Sequence, residues 1–146
     1  GENIYLKPDR SQVIASLISK VIKYPKEDFV VWGDGSQRRC FVFIDDVLEA
    51  LNKMDGYVMR KGNLTVNLGS REEITVKSLA EQIIEISGKK IPLQFDTTKP
   101  TGAMSRSPDL DKIKHELGWV PKTSFSKGLL RTYKWAEKRL ATKDWE

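Results

Sequence analysis

The chain has 146 residues, 39% hydrophobic and 31% charged, with a formal net charge of +5 and an isoelectric point near 9.3. That length suits one domain with a real core, is too short for two ordinary domains, and the composition excludes a disordered chain. Charges of both signs are interspersed, so the basic excess favours anionic ligands in general without pointing to nucleic acid.

A single cysteine, Cys40, excludes an internal disulfide and suits a reducing, cytoplasmic setting. No apolar run approaches the roughly eighteen residues of a membrane span, and the charged start GENIYLKPDR does not read as a signal peptide. The chain begins with Gly1 and not Met, which leads us to expect a processed or excised piece of a longer protein.

In chain order, SQVIASLISKVIKYP places Val13, Ile14, Leu17, Ile18, Val21 and Ile22 on one helical stripe that Pro25 ends. FVVW and RRCFVFI are short β-rich runs separated by Gly33-Asp34-Gly35, and an Asp-Gly between two such runs predicts a hairpin. A nucleotide-binding glycine loop leads from a strand into a helix. These glycines lead from a strand into a strand, so they are expected to be turn residues.

DDVLEALNKM predicts a helix with Asp46 as N-cap and Glu49 completing a capping box. That structural role is preferred over acid/base catalysis for Asp45 and Asp46, because adjacent carboxylates diverge on an extended chain. LTVNLGS predicts a strand ending in a Gly-Ser turn. TVKSLAEQIIEISG predicts an amphipathic helix with Val76, Leu79, Ile83 and Ile86 inside and Gly88 at its stop. IPLQFD alternates Ile91, Leu93 and Phe95 with other residues as a half-buried strand does. TTKPTGAMSRSP is a turn-rich loop, DLDKIKHELGW a short helix stopped by Gly118, and SFSKGLLRTYKWAEKRLA the last helix. The class is mixed α/β in one unit spanning residues 1–146.

Several catalytic constellations can be set aside. His115, the only histidine, falls away from the face made by Leu110, Ile113 and Leu117 and points to water. One cysteine and one histidine far apart make no zinc-type cluster, and no Ser-His-Asp or Cys-His set assembles. Tyr57 and Lys61 have the spacing at which a helix sets a phenol beside an ammonium, a possible general base. The glycines flanking DGYVMRKGN predict a loop or frayed helix end instead, and the spacing is read as coincidence. Arg38 and Arg39 face opposite ways if they lie on a strand, so one of them faces any given cleft. An arginine fork matches phosphate oxygens bidentately, so Arg38 or Arg39 converging with Arg106 on a diphosphate would make an anion clamp. The residues alone support a small-molecule or anion-binding α/β domain.

The run WGDGSQRRCFVFIDDVLEAL, followed by VNLGS, ITVKSLAEQI, KPTG and DLDKIKHELGWVPKTSFSKGLLRTYKW, resembles the C-terminal half of the extended short-chain dehydrogenases. Its GDP-sugar epimerases and reductases are the nearest in NIY, SQVIASLISK and DTTKPTG. The similarity covers nearly the whole chain, and the glycine-arginine stretch with Leu117-Gly118-Trp119-x-Pro121 is its most specific part.

The resemblance implies the substrate-binding part of an NAD(P)-dependent nucleotide-sugar epimerase, dehydratase or reductase, without the dinucleotide-binding half. NAD or NADP would serve the intact enzyme, with no cofactor bound by this chain alone and no catalytic residue within it. Position by position, it implies that Arg39 binds the nucleotide diphosphate and that Arg106, or Lys99 in the same loop, closes on the other side. Val13 and Lys20 would fall on the helix lining the nucleotide pocket, with Trp32 and Gln37 near it. Asn3 and Tyr5 match a family motif that contacts the sugar, whereas Leu6 and Lys7 depart from it. The expected partners are a nucleotide diphosphate-sugar and the missing N-terminal domain. Apolar surface left uncovered without that domain could drive homo-oligomer formation. The competing reading is a non-catalytic basic module for RNA or a protein partner. Aromatics interleaved on a basic face would mark it, but the tryptophans are scattered singly.

Overall fold

Apolar side chains at helical spacing on three segments build the centre of the molecule. The structure, a computed structural model, describes residues 1–4, 6 and 12–142; Tyr5 and Lys7 lie outside them. The elements run α1 (Val13–Lys23), β1 (Val30–Trp32), β2 (Arg38–Cys40), α2 (Ile44–Lys61), β3 (Glu73–Thr75), α3 (Val76–Ser87), β4 (Gln94–Asp96), α4 (Asp111–Leu117) and α5 (Phe125–Ala141). The fold is α/β, as expected.

Helices α1, α3 and α5 pack on one another through Leu17, Ile18, Val21, Leu79, Ile83, Leu129 and Tyr133. The stripe expected on α1 therefore faces the core, with Val13, Ile14 and Ile22 at its margins. Helix α3 starts at Thr75, whose hydroxyl accepts the Ser78 N–H at 3.0 Å, and stops at Gly88 in the left-handed conformation.

A lysine closes the C-terminal end of α1. The Lys89 ammonium donates to the carbonyls of Val21, Ile22 and Tyr24 at 2.8, 2.9 and 3.0 Å. These are carbonyls that a helix end leaves without intrahelical partners, and a cation is favoured there. Lys89→Met keeps the stem and removes the donors. It is expected to cost about 2 kcal/mol, as for hydrogen bonds to a charged group, read as a lower urea midpoint with unchanged m-value.

The predicted hairpin does not form. β1 pairs in parallel with β4, Val31 opposite Phe95, whereas β2 pairs antiparallel with β3, Arg39 opposite Ile74. The connecting residues are bonded elsewhere. Gly33 N–H continues the first pairing by donating to Asp96 O at 2.8 Å, and the amides of Val76 and Lys77 donate to the carbonyls of Gln37 and Gly35. Gly33 and Gly35 are turn residues all the same, with φ of 81° and 78°. A Cβ at Gly35 would lie 2.6 Å from the Phe95 ring, so the glycine also permits close packing there.

Other expectations change too. Helix α2 begins after Phe43, and Asp46 is not its N-cap. Asp46 is 4% exposed and accepts the backbone N–H groups of Lys122 and Thr123 at 3.2 and 3.0 Å. Glu49 closes no capping box but pairs with the Lys122 ammonium at 2.8 Å. Burial explains the change: a carboxylate inside the protein serves the donors that face it there. Helix α2 also continues through Gly56 to Lys61, so Tyr57 and Lys61 are helical. LTVNLGS pairs with no strand among the described residues, although Val66 and Leu68 pack beside Trp119, Ile113, Leu110 and Ala50. Ile44, Leu48, Leu51 and Val58 leave an apolar strip of α2 exposed. No helix among the described residues is long and apolar enough to cross a membrane.

Candidate functional site

Between the N-terminal half of α1 and strand β1 lies a cleft of about 330 Å³, within the size range of small-ligand sites. Val13, Leu17, Val31 and Val76 give it an apolar floor, and Lys20, Trp32, Gln37 and Pro100 surround it. The spacing of Val13, Leu17 and Lys20 on α1 turns all three toward the same side. Four residues singled out from the sequence (Val13, Lys20, Trp32 and Gln37) thus meet in one place.

Trp32 is 56% exposed, which is unusual for so large an aromatic ring. Two ammonium groups reach it: Lys20 Nζ lies 5.9 Å and Lys99 Nζ 6.0 Å from the ring centroid. Both distances are in the cation–π range. Lys20 also donates to Val30 O at 2.6 Å. Burial holds its pKa below the ordinary 10.5, with Glu27 pulling weakly the other way. Lys99 comes from the loop after β4, so two distant segments place positive charge at one indole.

Gln37 carries the clearest chemical signal. Its side chain is 8% exposed and lines the cleft, yet the carboxamide has no hydrogen-bond partner among the described residues. A buried amide left unpaired is costly, and each exception calls for an explanation. A ligand with donors and acceptors on its edge would satisfy it. An exposed aromatic platform, two cations and a buried amide around an apolar floor can together hold a planar polar ring joined to an anion.

The remaining sequence-derived residues sit apart from the cleft. Arg38 pairs with Glu73 at 3.3 Å, so Arg39 takes the other side of β2, the side of Gln37. Arg39 does not line the cleft; its Nη1 donates to the carbonyls of Arg38 and Ala103, both at 2.7 Å. Arg106 is exposed in the same loop and makes no contact with Arg39 among the described residues. Asn3 is exposed at a φ of 62°. The sequence reading missed Ser16, Val30, Val31 and Pro100 as lining residues and gave Leu17 and Val76 to the core alone. Leu17 was findable, four positions beyond Val13 on the same helix face.

Gly33 and Gly35 do not shape a strand-to-helix phosphate loop. Gly33 and Gly35 join strands of two different sheets and precede no helix N-terminus. The Tyr57 hydroxyl donates to Glu116 Oε2 at 2.9 Å, and that bond raises the phenol pKa, the opposite of what a general base requires. His115 is 85% exposed, and no cluster of metal-ligating side chains occurs among the described residues.

Comparison with known proteins agrees with this architecture. The model of the family described as GDP-mannose 4,6 dehydratase matches residues 7–132. Putative GDP-L-fucose synthase 2 of Arabidopsis thaliana is 39% identical over 139 residues, covering 92% of this chain and 41% of that protein. Among solved structures, UDP-glucose 4-epimerase of Thermotoga maritima, determined with UDP-glucose, superposes with a TM-score of 0.78 at 28% identity, over 92% of this chain and 42% of its own. The dTDP-glucose 4,6-dehydratase of Bacillus anthracis in complex with NAD superposes at 0.72 with 26% identity, over 92% and 41%. The chain spans 39% to 44% of the length of the first three curated relatives it matches. With a family model matched over most of its length, this chain belongs to the GDP-mannose 4,6-dehydratase family of nucleotide-sugar epimerases and dehydratases, a group of extended short-chain dehydrogenases.

Proposed function

We propose that this chain is the C-terminal, substrate-binding part of an NAD(P)-dependent GDP-sugar epimerase, dehydratase or reductase, and that its cleft holds the nucleotide diphosphate. The carrying observation is the exposed Trp32 ring with Lys20 and Lys99 beside it, next to the unpartnered amide of Gln37. Trp32 offers a π-face to the base, the two ammonium groups offset phosphate charge, and Gln37 hydrogen-bonds the nucleoside. Arg39, two residues along the extended chain from Gln37, extends the anion site; Arg106 and Asn3 complete it in the intact enzyme.

The nicotinamide of NAD or NADP supplies hydride transfer when bound, and it is held by residues outside this chain. What this part contributes is grip on the unreactive end of the substrate. Holding a diphosphate firmly fixes the attached sugar, and that orientation lowers the barrier at a carbon the site does not touch. Alone, the chain binds without turning over.

Calorimetric titration with GDP-mannose tests this reading. One site is expected, with GDP keeping most of the affinity and mannose 1-phosphate losing most of it. Protonated Lys20 is the form that holds phosphate, and burial lowers its pKa. Affinity should therefore fall with rising pH before the ordinary lysine range is reached. A flat profile up to that range would remove Lys20 from the site. Preference for RNA over GDP-mannose, with a salt slope of several charges, would favour the basic-module reading instead.

A further inference from the structure

Arg131 on α5 makes three different contacts with one planar group. Its guanidinium carbon lies 4.5 Å from the centroid of the Phe43 ring, in the cation–π range. Nη1 donates to Asp45 Oδ2 at 2.7 Å, and Nη2 donates to both carboxylate oxygens of Glu2 at 3.2 Å. Phe43 immediately precedes α2 and is 6% exposed. Its ring lies so close to α5 that a Cβ at Gly128, one turn before Arg131, would sit 2.8 Å from it. The stacked ring sets the plane of the guanidinium, and the fork then reaches carboxylates on two separate segments. One is at the start of α2, and the other is on residues 1–4.

That short segment carries a backbone that needs holding. Asn3 has a φ of 62°, a left-handed conformation that a non-glycine residue keeps only where its surroundings fix it. Its neighbours supply the hold. Glu2 is gripped by Arg131, and Ile4 packs on the main core, as do Val13 and Ile14 at the start of α1. Gly1 and Ile14 line one small cavity, and Val13, next to Ile14, lines the cleft. The segment thus runs past the end of α1 at which the cleft begins.

We propose that Arg131 is a positioning residue that fixes residues 1–4 and so presents Asn3 to the sugar end of the bound nucleotide-sugar. A half-exposed ion pair contributes little alone. Here a stack and two carboxylates share one rigid group, so the ordering cost of the side chain is met once for three contacts. The sugar half of this proposal rests on the nucleotide reading above; the anchoring half does not.

Nuclear magnetic resonance relaxation and ligand titration of the whole chain separate the two halves, with GDP and GDP-mannose as probes. Without ligand, Arg131→Gln and Glu2→Ala should both lower the heteronuclear NOE of the Asn3 and Ile4 amides, a measure of ps–ns order, and leave α1 and α3 at wild-type values. Glu2→Ala breaks the same contact without touching α5, so the comparison stands even where Arg131→Gln folds poorly. In the wild type, GDP-mannose should bind several-fold more tightly than GDP. Both variants should lose that ratio while binding GDP as the wild type does, a split that general destabilisation would not produce. Unchanged order at Asn3 and Ile4 in both variants would overturn the anchoring. A wild-type ratio near one, or one that both variants keep, would overturn the sugar role, and so would an equal loss of both ligands. If GDP fails to bind even the wild-type chain, the nucleotide reading and the sugar role fall together, and the ligand-free relaxation still decides what anchors the segment.

Discussion

Truncating Trp119 to alanine is expected to cost about 4 kcal/mol of folding stability, the upper part of the range for a buried aromatic residue. Trp119 is 1% exposed and fills the second core with Ala50, Leu110 and Ile113. Its indole N–H donates to Asp46 O at 3.0 Å, while the Asp46 carboxylate takes the amides of Lys122 and Thr123. One tryptophan and one aspartate thus bind the segment after α4 to the first turns of α2. Removing the ring opens a cavity and takes away the indole bond that ties the two segments together. Against a typical total of about 5–15 kcal/mol, such a loss is severe. Trp119→Phe keeps most of the volume and should cost only about 1–2 kcal/mol for the missing bond and shape. Urea unfolding followed by circular dichroism measures both. A loss below about 1 kcal/mol in the alanine variant would mean that the segment repacks.

The second large effect concerns binding. Trp32→Ala should weaken GDP-mannose by about 2 kcal/mol, roughly thirtyfold, the scale of losing one base-stacking aromatic. Stability should barely move, because more than half of the ring is already in water. Trp32→Phe should recover part of the affinity, since a smaller π-face remains. The contrast with Trp119 separates the two residues: one loses folding and the other loses ligand. Unchanged affinity in Trp32→Ala would take the base away from this ring.

Much of this architecture was legible because it is local. The stripes of α1 and α3 and the Gly88 and Gly118 stops depend on residues within one or two turns of each other, so periodicity and capping rules find them. What failed depends on distant partners. Asp-Gly correctly marked a turn, but Val31 pairs with Phe95 and Arg39 with Ile74, and nothing within the turn encodes those choices. Asp46 looked like a cap because its burial is decided by residues far along the chain. Gly56 suggested a helix end, yet α2 runs on to where Tyr57 meets Glu116 on α4. The same division holds for the site. Val13 and Lys20 entered through the family resemblance, and their spacing on one helix face agrees with their meeting at the cleft. The approach of Lys99 to Trp32 is a loop conformation, and the unpaired amide of Gln37 is visible only once its surroundings are known.

The central claim is that one cleft, bounded by α1, β1 and the loop after β4, takes a nucleotide diphosphate-sugar. Nuclear magnetic resonance titration of the chain with GDP-mannose examines it most directly. The account predicts saturable shifts of the Trp32 indole N–H and the Gln37 side-chain amide, with smaller shifts across residues 99–104. Perturbation confined to another surface, such as α5, with both of those side-chain signals unmoved, would contradict it.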